Sequence, residues 1–356
     1  MNLNDYNIKV IASNVRDERL RNLLERYDDR IIVKSDNIAE FDLGVFRVLD
    51  NNGSYNFVEN INGRSMRIYK NDYIIAAFGS RYSAQNLCGH LETVDSSFKY
   101  FTLLTNGGIV GICDESPIYK GSPTRLECCG LLYYEGEKLN TLNYYKKHEQ
   151  HFKDVNIPLV LVCGTSGETG KTTTAITLIK QLTENFQLNV AGIKISGTGC
   201  MEDILEHKDA GSKYIADLSS AGVISSYTSY DNVKFAINEV LVSAKSNMCD
   251  VCVCECGGDI IGGNVFKILQ DEDLIDNIIG ITLNYNDVMG IMSAINLFNK
   301  YKVNKEILII HNLNHNIFGD KYRMQQWNIL NDAFNFNVEH EKLRLAETIN
   351  NKLDLR

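Results

Sequence analysis

Apolar and polar positions follow two different rhythms along this chain. Residues 1–150 carry short apolar runs with turn-forming positions between them: Ile8–Ala12, Arg30–Val33, Leu43–Val48, Met66–Tyr69, Tyr73–Phe78, Phe101–Leu104, Gly108–Cys113 and Gly130–Tyr134. Their length and their β-branched and aromatic content predict strands. Asn51-Asn52-Gly53 and Asn62-Gly63 fit hairpin turns. Short helices are expected at Asp17–Arg26 and Tyr82–Leu91. The first half therefore reads as a mostly-β accessory or substrate domain.

A polar stretch, Tyr144 to Asn156, reads as a linker, and from Pro158 the rhythm changes. Leu159–Cys163 is a continuous apolar strand. Thr172–Glu184 is a helix, with Ala175, Leu178, Ile179 and Leu182 on one face. Strands are expected at Val190–Ile195, Val251–Glu255, Ile278–Leu283 and Ile307–Ile310. Helices are marked by Val233, Ala236, Ile237 and Val240, by Val288, Ile291, Met292 and Ile295, and finally by Trp327, Leu330 and Phe334. Buried strands alternating with helices predict an α/β domain over 157–356, a mostly parallel sheet covered by helices.

Composition narrows the function classes. A net charge of -9 lacks the basic face that a broad nucleic-acid footprint needs, so no nucleic-acid partner is expected. Apolar stretches such as Pro158–Cys163 are far shorter than a membrane span, and Met1–Tyr6 shows no basic, then apolar leader. No membrane partner and a cytoplasmic location are expected. The ten cysteines are scattered, as suits free thiols. Cys249-x-x-Cys252 has ligand-like spacing. Cys252, Cys254 and Cys256, however, alternate along one strand and share a face, which favours buried thiols over a zinc site.

The chemistry concentrates between the first strand and helix of the second half. Gly164, Thr165, Ser166, Gly167, Glu168, Thr169, Gly170, Lys171, Thr172 and Thr173 form a glycine-containing loop that ends in Gly-Lys-Thr. Strand before and helix after are the context a phosphate loop requires. Glycines let backbone N–H groups turn inward around a phosphate, and the helix N-terminus adds favourable dipole charge. Lys171 would reach the β- and γ-phosphates and Thr172 would hold Mg²⁺. Further on, Glu255 ends a buried strand beside Gly257-Gly258, where open α/β sheets bind ligands; Asp259 is the alternative carboxylate. Lys194 precedes the small-residue turn Ser196-Gly197-Thr198-Gly199.

The glycine that usually stands five residues before Gly170 is one residue further back, at Gly164. This longer loop resembles that of dethiobiotin synthetase and its relatives, including amidotransferase-type cobyric acid synthases. Gly192-Ile193-Lys194-Ile195-Ser196-Gly197 resembles the lysine and turn after that family's second strand, and Glu255-Cys256-Gly257-Gly258 its third strand end. The resemblance implies that Lys194 contacts the transferring phosphoryl group. It also implies that Asp209 and Glu255 join Thr172 around Mg²⁺, with Asp203 or Asp217 as alternatives to Asp209. It implies an adenine-reading Asn312 at a strand end, and ATP over GTP. Gly-Lys-Thr-Thr-Thr also resembles Mur-type ligase loops. Ser166 stands where dethiobiotin synthetase has an aspartate, and that enzyme lacks a domain like residues 1–150, so dethiobiotin synthesis itself is not expected.

The expected function is ATP- and Mg²⁺-dependent transfer of the γ-phosphoryl group to a small-molecule carboxylate or carbamate, for ligase-type amide formation. The partner would be a small acid or amino-acid-like substrate, which Arg81 and Arg125 would hold bidentately. Two alternatives stay open: a nucleotide-switched metallochaperone or assembly NTPase, and an acyl-CoA-dependent acyltransferase using the same loop. Relatives of this fold often dimerise, so a homodimer is allowed.

Overall fold

The computed structural model describes residues 1–356 except 51, 52, 54, 92–96, 149–155, 312–315, 330, 331 and 356. The chain divides into two compact units. The first holds Met1–Lys147, Gly197–Glu202 and Asp217–Ala236; the second holds His148–Ser196, Asp203–Ala216 and Ile237–Arg356.

The apolar runs of the first unit form strands β1 (Ile8–Ile11), β2 (Ile31–Lys34), β3 (Leu43–Val48), β4 (Phe57–Glu59), β5 (Ser65–Arg67), β6 (Tyr73–Phe78), β7 (Cys88–His90), β8 (Tyr100–Leu103), β9 (Ile109–Glu115), β10 (Arg125–Tyr134) and β11 (Glu137–Lys138), with helices α1 (Glu18–Glu25) and α2 (Thr141–Tyr144). The main sheet runs β1-β6-β3-β10-β8-β9-β7. Pairing of β6 with β9 closes five of these strands into a ring, so neither β6 nor β9 presents a bare edge there. Phe46, Phe78 and Phe101 fill its interior as edge-to-face pairs, with centroids 5.0 and 4.9 Å apart. Burying each such ring contributes about 1.5–3 kcal/mol.

Two expectations for this unit change. No helix forms over Tyr82–Leu91. Instead Arg81 and Gly89 exchange backbone hydrogen bonds of 2.7 and 2.8 Å, and β7 pairs with β9. A side chain at Gly89 would lie 2.5 Å from the Ile112 carbonyl oxygen, so this approach requires glycine. The division expected at 150–157 also omits 197–202 and 217–236. Residues 217–236 are bound into the first unit by Ser225 Oγ donating to the Ser80 carbonyl and Thr141 Oγ1 to the Gly222 carbonyl, both at 2.7 Å, and residues 197–202 by the Met201 N–H donating to Glu59 Oε2 at 2.6 Å. The buried Arg16–Asp217 ion pair at 2.8 Å adds to this. The Asn62-Gly63 turn joins β4 to β5, with Gly63 at φ +78°; the Asn51-Asn52 turn lies outside the described residues.

The second unit contains β12 (Leu159–Gly164), α3 (Lys171–Phe186), β13 (Val190–Ser196), α4 (Met201–Asp209), β14 (Tyr214–Asp217), α5 (Tyr230–Ser246), β15 (Val251–Cys256), α6 (Val265–Leu269), α7 (Glu272–Ile275), β16 (Ile278–Asn284), α8 (Val288–Lys300), β17 (Ile307–His311), α9 (Ile317–Gln326), β18 (Ala333–Asn335) and α10 (Glu339–Asp354). The first residues of α4, the last of β14 and the first seven of α5 are grouped with the first unit. Strand order is β14-β13-β15-β12-β16-β17-β18, and the pairings from β13 through β18 are parallel. Parallel strands need crossovers, which the intervening helices supply. On one face, Val160, Val162, Val190, Val251 and Val253 pack under Ala175, Leu178 and Leu182 of α3 and Leu345 and Ile349 of α10. On the other, Tyr285, Val288, Ile291, Ile309 and Met324 form a smaller cluster.

The helix expected through Trp327 and Phe334 is not formed: α9 ends at Gln326, and fully buried Phe334 lies on β18 opposite Ile310. Leu330 lies outside the described residues. Three apolar residues at helical spacing were too short a signal against a strand that completes the sheet.

Candidate nucleotide site

Strand alternation decides which side chains reach the start of α3. On β15, Val251 and Val253 point into the α3 core, so Glu255 emerges on that same face at the strand's carboxyl end. On β13, Val190 shares this face, which brings Gly192 and Lys194 onto it; Lys194 and Glu255 are direct register partners. Cys252, Cys254 and Cys256 point the opposite way and are fully buried. Burial pushes the Cys252 thiol well above its usual range. Cys256 is raised as well, first by its hydrogen bond with Cys163, whose sulfur lies 3.6 Å away. Among the described residues, no three His, Cys, Asp or Glu side chains are grouped so as to hold a metal ion.

The loop before α3 curls around its own lysine. Lys171 is 6% exposed, and its Nζ donates to the Ser166 carbonyl at 2.8 Å. Gly164 permits this closure, because a Cβ there would lie 2.5 Å from Thr169 Oγ1 and 3.0 Å from Lys171 Nζ. Gly170 takes the left-handed conformation, φ +88°, that swings the chain into the helix, and Glu168 is also left-handed at +56°. The loop is braced from β16. Asn284 donates to Thr174 Oγ1 at 2.8 Å and accepts the Thr165 N–H through its carbonyl at 2.9 Å, while Asn286 donates to Ser166 Oγ at 2.6 Å. A cleft of about 410 Å³ beside this brace is lined by Asn286, Asp287, Met289, Asp320, Arg323 and Trp327.

Helices α1, α7, α8 and α9 have a side-chain cap from Asp17, Asp271, Asp287 and Asn316. Among the described residues none caps α3, as none caps α6 or α10, but α3 alone of these three begins on the glycine-lysine-threonine loop. Its first-turn N–H groups and the inward-facing lysine thus share one concave place, the arrangement that attracts a phosphate chain. Burial lowers the Lys171 pKa, an effect that the nearby Glu255 carboxylate partly opposes.

Thr172 Oγ1 donates to Glu255 Oε1 at 2.8 Å. A hydroxyl and a carboxylate are hard oxygen donors, which fits Mg²⁺, an ion that takes one or two protein oxygens and completes its shell with phosphate and water. Lys194 forms an ion pair with Asp203, and the lysine's charge holds the Asp203 carboxyl below the usual range. Asp203 and His207 lie one helical turn apart on α4 and so face the sheet together. Fully buried His207 sets its Nε2 3.1 Å from Glu255 Oε2.

The structure thus brings Lys171, Thr172, Lys194 and Glu255 to one end of the sheet. Asp209 is not with them. It is the last residue of α4, two positions past His207 and therefore turned away from the sheet, and it is exposed. Thr173 is exposed as well. Asp217 pairs with Arg16 in the first unit, and Asp259 Oδ1 caps the N–H groups of Ile261 and Gly262. Asn312 lies outside the described residues. Sequence reasoning missed His207, Asn284 and Asn286. Only the i, i+4 spacing of Asp203 and His207 could have pointed to the histidine.

Parallel strand order, an uncapped glycine-lysine-threonine loop and a strand-end carboxylate on the threonine define the second unit as a P-loop NTPase fold, with a mostly-β unit ahead of it. No family model matches the chain, and no curated protein matches it. Among solved structures, the hydrogenase maturation factor HypB from Archaeoglobus fulgidus aligns at 12% identity, covering 57% of this chain and 93% of its own, with a TM-score of 0.39. A plasmid partition protein from Borrelia burgdorferi aligns at 12% identity over 55% and 99%, TM-score 0.38. A ParA family ATPase from Chlorobium tepidum aligns at 11% over 54% and 91%, TM-score 0.32. No helix among the described residues is long and apolar enough to cross a membrane.

Proposed function

We propose that this protein binds ATP with Mg²⁺ and transfers the γ-phosphoryl group to a small-molecule carboxylate or carbamate, activating it for attack by an amine. The observation that carries this reading is the buried Lys171 ammonium inside its own loop, 2.8 Å from the Ser166 carbonyl, at the uncapped start of α3. A buried lysine held by the Ser166 carbonyl and, at 3.5 Å, by the Thr169 hydroxyl is poised to exchange those neutral acceptors for phosphate oxygens. Thr172 and Glu255 would hold Mg²⁺, which supplies charge neutralisation on the phosphates when bound. Lys194, held by Asp203, would steady the charge of the moving phosphoryl group. The cleft beside Asn286 and Trp327 has room for the rest of a nucleotide or for an acid substrate.

The test combines nucleotide-dependent thermal shift with trapping of an acyl phosphate by hydroxylamine across a panel of small carboxylic acids. Hydroxamate formed with one acid, in step with ADP, supports phosphoryl transfer. Steady hydrolysis that no acid alters would move the reading to a nucleotide-switched assembly or metal-delivery protein. Acylation without nucleotide cleavage would move it to an acyl-CoA enzyme. Absence of any nucleotide-dependent stabilisation, or full turnover by Lys171→Ala, would overturn the phosphate-loop assignment itself.

A further inference from the structure

The buried histidine on α4 has no part in the phosphate cradle, yet it touches the carboxylate that faces Thr172. Its position depends on a chain of local choices. Gly192 of β13 has no side chain, and a Cβ there would lie 2.6 Å from His207 Cβ and 2.7 Å from Ser212 Oγ. The missing methyl group lets α4 settle onto the strand. The imidazole then spans from Gly192 to Glu255, and Nε2 reaches Oε2 while Thr172 holds Oε1. An ionised carboxylate only accepts hydrogen bonds, so a bond to it requires a proton on Nε2. Nδ1 has no hydrogen-bond partner among the described residues, so the ring's link to the site runs through Nε2 alone.

A histidine packed only for volume would not need this alignment, and an apolar side chain would fill the same space without an orphaned ring nitrogen. We propose that His207 is a positioning residue for the metal carboxylate: its Nε2–H anchors one oxygen of Glu255 and leaves the other presented beside the Thr172 hydroxyl. This rests on the nucleotide reading above. It adds that the Mg²⁺ requirement of nucleotide binding is set from α4, by a residue that touches neither nucleotide nor metal. The paired Asp203–Lys194 contact one turn earlier fixes the same helix to the same strand end, so α4 orients Lys194 as well as Glu255.

The experiment measures ADP binding by the full-length protein without Mg²⁺ and across a Mg²⁺ titration, for wild type, His207→Leu and His207→Gln. Leucine keeps the bulk and removes the donor; glutamine carries an N–H that reaches the position of Nε2. Outer partners of this kind alter metal affinity about 10–100-fold. His207→Leu is expected to raise the half-saturating Mg²⁺ concentration by that factor while leaving Mg²⁺-free ADP affinity within about twofold, and His207→Gln is expected to restore most of it. Should His207→Leu fail to fold, His207→Asn, whose shorter amide falls short of Glu255, takes its place in the comparison. Equal Mg²⁺ dependence in the leucine and wild-type proteins, or leucine and glutamine variants that shift together, would overturn the proposal. A wild-type protein that binds no ADP, or binds it without regard to Mg²⁺, would instead remove the reading on which it rests.

Discussion

The two units use charged residues at strand ends in opposite ways. In the first, they are consumed in pairs within the sheet: Arg47 with Glu127 at 2.5 Å, Arg125 with Asp50 at 2.7 Å, and Arg81 with the Tyr55 hydroxyl and the Leu104 carbonyl at 2.7 and 2.6 Å. In the second, Lys194, although paired with Asp203 of α4, stands beside Glu255 on parallel strands, and the two converge with Lys171 and Thr172 at the start of a helix. Topology explains the contrast. Antiparallel neighbours put the ends of successive strands at opposite edges, so charges there find partners across the ladder. Parallel neighbours put every carboxyl end at one edge, so charges accumulate where helix N-termini also open.

The comparison breaks most sharply at Lys171. Its pKa is lowered from 10.5 chiefly by burial. A lysine whose folded-state pKa lies below its unfolded value makes the folded chain pay for its charge. That penalty is complete below the folded-state pKa and disappears as pH rises through the unfolded one. At neutral pH, Lys171→Met should therefore raise the melting temperature of the ligand-free protein. The same change removes a charge-assisted bond to phosphate worth about 1.5–3 kcal/mol, so nucleotide affinity should fall about 10–150-fold. Calorimetric melting with and without nucleotide reads both effects. A variant that loses stability in both states would mean that Lys171 is an ordinary core lysine.

Gly192 offers a smaller lesion in the same unit. Adding one methyl group places an atom 2.6 Å from His207 Cβ, and overpacking of this kind costs about 1–3 kcal/mol. If α4 yields, Asp203 and His207 move with it. Gly192→Ala should thus lose stability in chemical denaturation and also require more Mg²⁺ for nucleotide binding. Lost stability with an unchanged Mg²⁺ requirement would separate α4 from the site.

What could be read in advance follows the same contrast. The phosphate loop is contiguous, so Gly164 through Thr172 was legible from spacing, and the apolar strands around it set the parallel sheet. Glu255 was legible because it closes an apolar run. Asp209 was misplaced because the stretch Glu206 to Asp209 offers four polar residues, and only the packing of α4 on Gly192 determines that Asp203 and His207 face inward. Asn284 and Asn286 were silent because a bracing amide has no sequence signature; it matters only once β16 lies beside the loop. In the first unit the strands were mostly visible. The attachment of 197–202 and 217–236 was not, since long-range hydrogen bonds such as Ser225 to Ser80 leave no periodic trace.

Arg81 tests whether the first unit's charges are truly spent. From sequence it was a candidate to hold a substrate carboxylate, because it stands in a small-residue loop at a strand end. In the structure it is half-buried, and a single nitrogen, Nη1, serves both Tyr55 and the Leu104 carbonyl. Removing it leaves that carbonyl without this donor, and losing hydrogen bonds to a charged group costs about 1.5–3 kcal/mol. Arg81→Ala should accordingly lower the stability of the first unit by that amount in urea unfolding, with nucleotide affinity unchanged within about twofold. Acid-stimulated ADP formation, measured well below the unfolding transition, should stay near the wild-type rate. If stability were unchanged while stimulation by the acid substrate vanished, Arg81 would be a substrate-binding residue. The first unit would then share in the chemistry that its internal pairing now assigns to the second alone.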